Sequence, residues 1–221
     1  MLLNLSACGL FTSREDDMLD YMEKKYGESF TTVEPFGGQL GSKYTMILVK
    51  GTYAEDALVR VVYEEAPPVY QDNYLGFIHK QEIETLLEPL AEQAFGTCKL
   101  FYKVPRMVFP VETTKHTTAE ELLGNPYTMT RIYVYPKDNS EDNSSKIDML
   151  QQQLAEKGYC IGVIISFPPD EKWYDFITED TFVGAVYQGY EADEEIVFQM
   201  DREGGYRSLY WLIKDGKSVN E

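Results

Sequence analysis

The chain has 221 residues, of which 43% are hydrophobic, so it can bury a core and is not disordered throughout. Its 37 acidic against 20 basic side chains give a formal net charge of −17, which would repel nucleic-acid phosphates, so we expect no nucleic-acid partner. No apolar run reaches the ~18 residues of a membrane-spanning helix, and no cysteine and histidine spacing indicates a metal site.

The first feature along the chain is a short motif near its start. Leu5-Ser6-Ala7-Cys8, followed by Gly9, places an apolar residue three positions before a cysteine and small residues directly before it. This pattern resembles the lipobox of bacterial lipoproteins, in which the cysteine becomes the lipidated N-terminus. Only four residues precede the motif, fewer than the basic and apolar parts of an export leader need. Two interpretations stay open: a leader encoded upstream of Met1, or an accidental match in a cytosolic protein.

A polar, charge-rich run, Thr12 to Asp17, follows the motif and is typical of the tether between a lipid anchor and a folded domain. We therefore predict a truncated signal, lipobox and tether over residues 1–14 and a folded body over 15–221. The chain is similar to the many uncharacterised Gram-positive lipoproteins that consist of a lipobox, a short tether and an α+β body. This resemblance implies lipidation of Cys8, a membrane partner through the anchor and a location on the outer face of the cell membrane.

The first part of the body predicts one helix and three strands. Met18, Leu19, Met22 and Tyr26 recur at helical spacing, and Gly27 is a typical helix end, so residues 16–26 predict a helix. Alternation and β-branched residues predict strands at 29–33, 44–49 and 58–63. Pro35 and the pair Pro67-Pro68 are expected to interrupt the strands beside them.

Residues 70–74 predict a loop that contains the candidate ligand-binding residues Tyr70, Asp72, Asn73 and Tyr74. The two rings could stack on a sugar or peptide while the acid and the amide form hydrogen bonds to it. The alternative is an Asx turn, in which Asp72 or Asn73 binds backbone amides and the rings cover the edge of the core.

The rest of the chain alternates helices and strands. A clear apolar stripe predicts a long helix over 81–95, which Pro89 should kink or divide. Further predicted elements are a strand at 100–104, a short helix at 119–123, a strand at 130–135, a helix at 146–157, a strand at 160–167, helical turns at 171–177, and strands at 182–187, 195–200 and 207–213.

Two passages echo each other, because Cys98 and Cys160 each follow a helix and a glycine and each begin a strand that ends at proline. If Cys8 is lipidated outside the cell, these two cysteines could form a disulfide, provided their Cα atoms lie within about 7 Å. In a cytosolic protein both would be buried free thiols.

These patterns predict a mixed α+β fold with mainly antiparallel sheet packed by two long helices. The echo suggests two related halves, with a subdivision into 15–105 and 130–221. The chain carries no catalytic motif of the hydrolase, nucleotide-binding or metalloprotease kinds and no cofactor motif. We therefore expect a non-catalytic, membrane-anchored module that binds a protein, peptide or glycan, and no cofactor. The alternatives are a cell-surface hydrolase with a carboxylate pair and a cytosolic protein.

Overall fold

The structure is a computed structural model that describes residues 8–36, 44–54, 58–139, 143–183, 192–201, 203, 205–214 and 217–218. It divides into two compact units. Unit 1 consists of the chain up to Ile78 together with Pro105–Thr117, and unit 2 consists of His79–Val104 together with the chain from Thr118 onward.

Unit 1 is a four-stranded antiparallel sheet with a long helix packed against it. The elements are α1 (Cys8–Tyr26), β1 (Thr31–Phe36), β2 (Tyr44–Lys50), a 3-10 turn (Thr52–Ala54), β3 (Val59–Glu65), β4 (Pro68–Asp72) and α2 (Tyr74–Ile78). The strands pair in the order β1-β2-β3-β4. Met18 and Met22 of α1 are fully buried against Val49, Val59 and Val61, which lie in β2 and β3. Burial of this apolar stripe fixes α1 on the sheet.

Unit 2 is a six-stranded sheet with helices on both of its faces. Its elements are α3 (Lys80–Phe95), β5 (Cys98–Lys103), α4 (Ala119–Gly124), β6 (Arg131–Pro136), α5 (Asn143–Glu156), β7 (Gly162–Phe167), α6 (Glu171–Phe176), β8 (Glu194–Met200), β9 (Tyr206–Lys214) and β10 (Lys217–Ser218). The strand order is β10-β9-β8-β7-β6-β5, and β6 and β7 form the parallel pair.

Each face of the six-stranded sheet has its own core. The long helices α3 and α5 pack on one face, where Leu87 and Leu154 meet alternate residues of β5 to β8. The opposite face holds a smaller aromatic cluster around Tyr135 and Phe182, with Trp173 and Phe176 of α6 beside it. The predicted α+β class, with mainly antiparallel sheet and long packing helices, is confirmed. No helix in the described ranges is long and apolar enough to cross a membrane.

The N-terminal helix begins earlier than its apolar pattern predicts. Leu5, Ser6 and Ala7 lie outside the described residues, and Cys8 is the first residue of α1, so the segment expected to form a tether is helical. The apolar stripe starts only at Met18. In the helical turn before it, the guanidinium of Arg14 lies 4.6 Å from the centre of the Tyr63 ring, and this contact ties the turn to the sheet. Tertiary contacts thus extend a helix through a stretch that composition alone assigns to a linker.

Three other elements differ from their predictions. The expected loop at 70–74 is the end of β4 and the start of α2, because β4 pairs with β3 as far as Asp72. Pro89 does not divide α3, which runs from Lys80 to Phe95 with the proline inside it. Of the strand expected at 182–187, residues 182–183 form a turn and the rest lie outside the described residues.

The division between the units also falls elsewhere than at the predicted 15–105 and 130–221. α3 and β5 belong to unit 2, and the segment Pro105–Thr117 returns to unit 1. There the Phe109 amide donates to the Asp72 carbonyl at 2.9 Å, which ties this segment to the end of β4. A division into two consecutive halves does not allow a later segment to belong to the first unit. The two similar passages, which contain Cys98 and Cys160, also lie in one sheet of unit 2.

Cys98 and Cys160 are not joined in a disulfide, so the structure does not contain the bond that the sequence left possible. Cys98 begins β5, and Cys160 lies just before β7, so the whole of β6 separates the two strands. They also sit at opposite ends of β6, because Cys98 pairs with Pro136 whereas Gly162 pairs with Arg131. This arrangement places the thiols too far apart to bond.

Candidate functional site

The four candidate residues lie together in unit 1, where β4 meets α2. Tyr70 is half-buried, whereas Asp72, Asn73 and Tyr74 are buried. Asn73 holds the local backbone: its Oδ1 accepts from the Arg60 amide at 2.8 Å and its Nδ2 donates to the Pro105 carbonyl at 2.8 Å. Asn73 is therefore a structural residue that positions its neighbours.

Asp72 is the centre of a hydrogen-bond network, although its carboxylate has no exposed surface. Oδ2 accepts from Lys25 Nζ at 2.7 Å and from Tyr21 Oη at 2.8 Å. Oδ1 accepts from Tyr26 Oη at 2.6 Å and from the Tyr74 amide at 2.9 Å. Four donors use the acceptor capacity of the carboxylate, so Asp72 is not available as a general base.

The network keeps two tyrosines of α1 in their neutral form. Burial raises the pKa of Tyr21 and of Tyr26 above the ordinary value, and the charge of Asp72 and its hydrogen bonds raise each pKa further. Lys25 lies between these two rings, with its Nζ 5.4 Å from the centre of Tyr21 and 5.2 Å from that of Tyr26. The result is a fixed cluster of one carboxylate, one ammonium and two phenols.

Tyr74 supports the network through its hydroxyl and its ring. Its hydroxyl donates to Glu28 and accepts from the Tyr53 amide at 3.1 Å. Its ring packs edge-to-face against Tyr26 at 4.9 Å and against Phe30 at 5.0 Å between ring centres. Tyr74 is fully buried, so it supports the site and does not contact a ligand.

An open pocket of about 480 Å³ lies beside this network. We call it the tyrosine pocket; its lining residues are Asp17, Asp20, Tyr21, Lys24, Lys25 and Tyr70. The rings of Tyr21 and Tyr70 stack at 5.2 Å with an angle of 18° between their planes. Tyr63 continues this row, at 4.8 Å from Tyr70. The pocket thus combines an aromatic wall with carboxylates and ammonium groups.

Of the predicted binding residues, Tyr70 lines the tyrosine pocket, and Asp72 supports it through Tyr21 and Lys25. The pattern of residues 70–74 does not predict the contribution of α1. A signal was present, because Asp17, Asp20, Tyr21 and Lys24 follow the i, i+3, i+4, i+7 spacing of one helical face.

No group of His, Cys, Asp and Glu side chains within the described ranges is suited to a metal ion. In unit 2, burial and then the charges of Glu92 and Glu88 raise the pKa of the Cys98 thiol to about 12. Cys98 is therefore a poor nucleophile at neutral pH, because the reactive form of cysteine is the thiolate.

Unit 1 is expected to lose stability in alkaline solution. Tyr21 and Tyr26 have folded-state pKa values raised above the 10.0 of a free phenol, so the stability that they contribute is fully present below pH 10 and is lost as the pH rises through the folded values. Phenolate absorbance and circular dichroism, followed together, should show these phenols ionising as α1 unfolds. Tyr26→Phe should flatten this pH dependence, whereas Tyr127→Phe, at a phenol that is 67% exposed, should not.

No protein-family model matches the chain, and no curated protein matches it. Among solved structures, the chain is similar to the crystal structure of a DUF5037 family protein from Ruminococcus gnavus ATCC 29149. The identity is 14%, the match covers 87% of this chain and 94% of the other chain, and the TM-score is 0.45. This similarity assigns no activity and no ligand.

Proposed function

We propose that the protein is a non-catalytic binding module and that the tyrosine pocket is its ligand site. The observation that carries the proposal is the stacked pair Tyr21 and Tyr70 at an open pocket, in which the buried carboxylate of Asp72 holds Tyr21. Fixing the pocket wall before a ligand arrives lowers the ordering cost of binding. The same saturation of Asp72 removes the buried acid that a hydrolytic mechanism at this site would use.

The ligand should carry both hydrogen-bond donors and acceptors beside a small apolar surface. Asp17 and Asp20 offer acceptors at the pocket, Lys24 offers a donor, and the tyrosine rings offer apolar edges. Sugar hydroxyls and peptide amides both meet this requirement. A glycan and a peptide are therefore the two sources that an experiment has to separate.

Calorimetric titration of the full chain with neutral oligosaccharides and, separately, with capped tetrapeptides tests the site. We expect saturable binding by one panel and a loss of about fivefold in affinity for Tyr70→Ala, because a contact with one aromatic ring is worth about 1 kcal/mol. Asp17→Asn with Asp20→Asn should weaken binding without disturbing the core, since both carboxylates are exposed. Tyr127→Ala, at an exposed ring of unit 2, is the matched control. Unchanged affinity in both pocket variants would rule the site out.

We propose further that Cys8 carries a lipid anchor and that the protein works at the outer face of the cell membrane. The support is the residue pattern Leu5-Ser6-Ala7-Cys8. A lipid there would attach directly to a helix of unit 1. Stable anchoring by acyl chains needs more than one of them.

Native mass spectrometry and membrane fractionation in the host organism test the anchor. The protein should be found in membranes with an acylated N-terminal cysteine at position 8, and Cys8→Ala should release it or leave it unprocessed. Cys98→Ala, at a half-buried thiol of unit 2, is the control and should stay in the membrane fraction. An N-terminal peptide that extends through an unmodified Cys8 would contradict the anchor.

A further inference from the structure

The six-stranded sheet of unit 2 ends at β5, whose outer edge has no strand beside it in the described part of the chain. The Tyr102 amide faces this edge, because it donates to Glu84 Oε1 at 2.9 Å and not to β6. Backbone groups in antiparallel strands alternate between the two sides, so Cys98 and Leu100 direct their amides and carbonyls outward as well. An edge of this kind is a template for another strand.

A groove of about 410 Å³ lies along this edge. We call it the β5 edge groove; its lining residues are Glu88, Glu92, Cys98, Lys99, Leu100, Phe101, Ile177 and Thr178. Glu88 and Glu92 come from α3 on one face of the sheet, whereas Ile177 follows α6, which covers the other face. Because both faces contribute to its walls, the groove opens at the strand edge itself.

A row of glutamates on α3 lies alongside the outward amides of β5. Four residues of a helix span about 6 Å, and two residues of a strand span about 6.7 Å. The spacing between glutamates at every fourth position of α3 therefore matches the spacing between outward amides at every second position of β5. Glu84 takes up the Tyr102 amide. Glu88 and Glu92 are exposed and line the same groove as Cys98 and Leu100, so this spacing places them near the other two outward amides.

The charges of the groove favour a basic occupant. Glu88 and Glu92 supply two carboxylates, while the ammonium of Lys99 is bound by the carbonyls of Tyr174 at 2.6 Å and Ile177 at 2.8 Å. A second copy of this chain would bring its own net charge of −17 to the contact, which opposes self-association.

We propose that the β5 edge groove binds an extended, basic segment of another protein, which adds to the sheet as a further strand. Its backbone would pair with Cys98 and Leu100, and its lysine or arginine side chains would meet Glu88 and Glu92. Glu84 ends the groove by occupying the Tyr102 amide. This site is independent of the tyrosine pocket, so either can exist without the other.

A fluorescently labelled hexapeptide of alternating valine and lysine, titrated into the full chain, tests this proposal. We expect saturable binding and slower hydrogen exchange of the Cys98 and Leu100 amides in the complex. Glu88→Gln with Glu92→Gln should reduce the affinity by about tenfold, because two charge-assisted contacts are lost. Glu120→Gln with Asp148→Asn removes two exposed charges elsewhere in unit 2 and should leave the affinity unchanged.

A second peptide shows whether binding depends on backbone pairing or only on charge attraction. The same hexapeptide with N-methylated backbone amides keeps its charge but cannot pair with a strand, and we expect it not to bind. Equal binding of both peptides, unchanged exchange of the two amides, or no binding of the first peptide would overturn the proposal. A dimer of this chain that protects the same amides would overturn it too, because the occupant would then be a second copy.

Discussion

Asp72→Asn is expected to lower the free energy of unfolding of unit 1 by about 3–5 kcal/mol, the usual cost of removing one partner from a buried ion pair. Lys25 is the other partner, with a side chain that is 12% exposed and an Nζ 2.7 Å from Asp72. The asparagine keeps the shape of the site, so the loss would come from hydrogen bonding and charge. Chemical denaturation, followed by hydrogen exchange of α1 and β4, measures it.

The geometry explains why the amide cannot replace the carboxylate. The backbone amide of Tyr74 can only donate, so the side-chain oxygen of the introduced asparagine would have to face it. The side-chain NH2 group then faces the ammonium of Lys25. Both groups are donors, so the hydrogen bond from Lys25 to the carboxylate is lost and nothing replaces it. The ammonium is left buried without its partner.

Asp20→Asn is the matched control for this substitution. Asp20 pairs with Lys24 at 3.4 Å on the exposed face of α1, and exposed pairs of this kind contribute about 0–1 kcal/mol. Adding Lys25→Met to Asp72→Asn should restore part of the lost stability, because the unpaired charge is then removed. A loss below about 1 kcal/mol for Asp72→Asn would contradict a network centred on this carboxylate.

Gly51→Ala is expected to destabilise unit 1 by about 1–3 kcal/mol through overpacking. A Cβ at this position would lie 2.6 Å from Phe30 Cε1 and 2.7 Å from Tyr74 Oη. Both rings are buried and pack edge-to-face, so neither can move without disturbing the support of Tyr26. Thermal unfolding measures the loss.

Gly124→Ala in unit 2 is the corresponding control, because the nearest atom to its new Cβ is the Gly158 carbonyl at 3.6 Å, an ordinary contact. It should be neutral or slightly stabilising, since alanine is favoured over glycine in a helix. Equal stability of Gly51→Ala and the wild type would show that the packing around Tyr74 is loose.

Periodicity predicts the fold class and most elements, because apolar side chains have to face a core. The stripe from Ile83 to Ala94 gives α3, and the run from Ile161 to Phe167 gives β7. The loop predicted at residues 70–74 is wrong because polar residues such as Asp72 normally indicate a loop. Here three of the four donors to Asp72 come from α1, more than 40 residues away, and local patterns carry no information on them.

The site was predictable only in part for the same reason. Tyr70 is predictable from its own segment, but Tyr21 and Lys25 join it through the packing of α1 on the sheet. The β5 edge groove has no signature in the sequence. Its amides are defined by which strand ends the sheet, and strand order depends on tertiary pairing.

Fluorine NMR of the full chain labelled with fluorotyrosine tests the proposed binding function most directly. Resonances of Tyr21 and Tyr70, assigned with Tyr→Phe variants, should shift in a saturable way when the oligosaccharide or peptide ligand is added, while Tyr127 stays unchanged. The added compound should be recovered intact. Unshifted Tyr21 and Tyr70 resonances with every compound of both panels, or cleavage of a compound that is lost in Tyr70→Ala, would contradict a non-catalytic binding site at the tyrosine pocket.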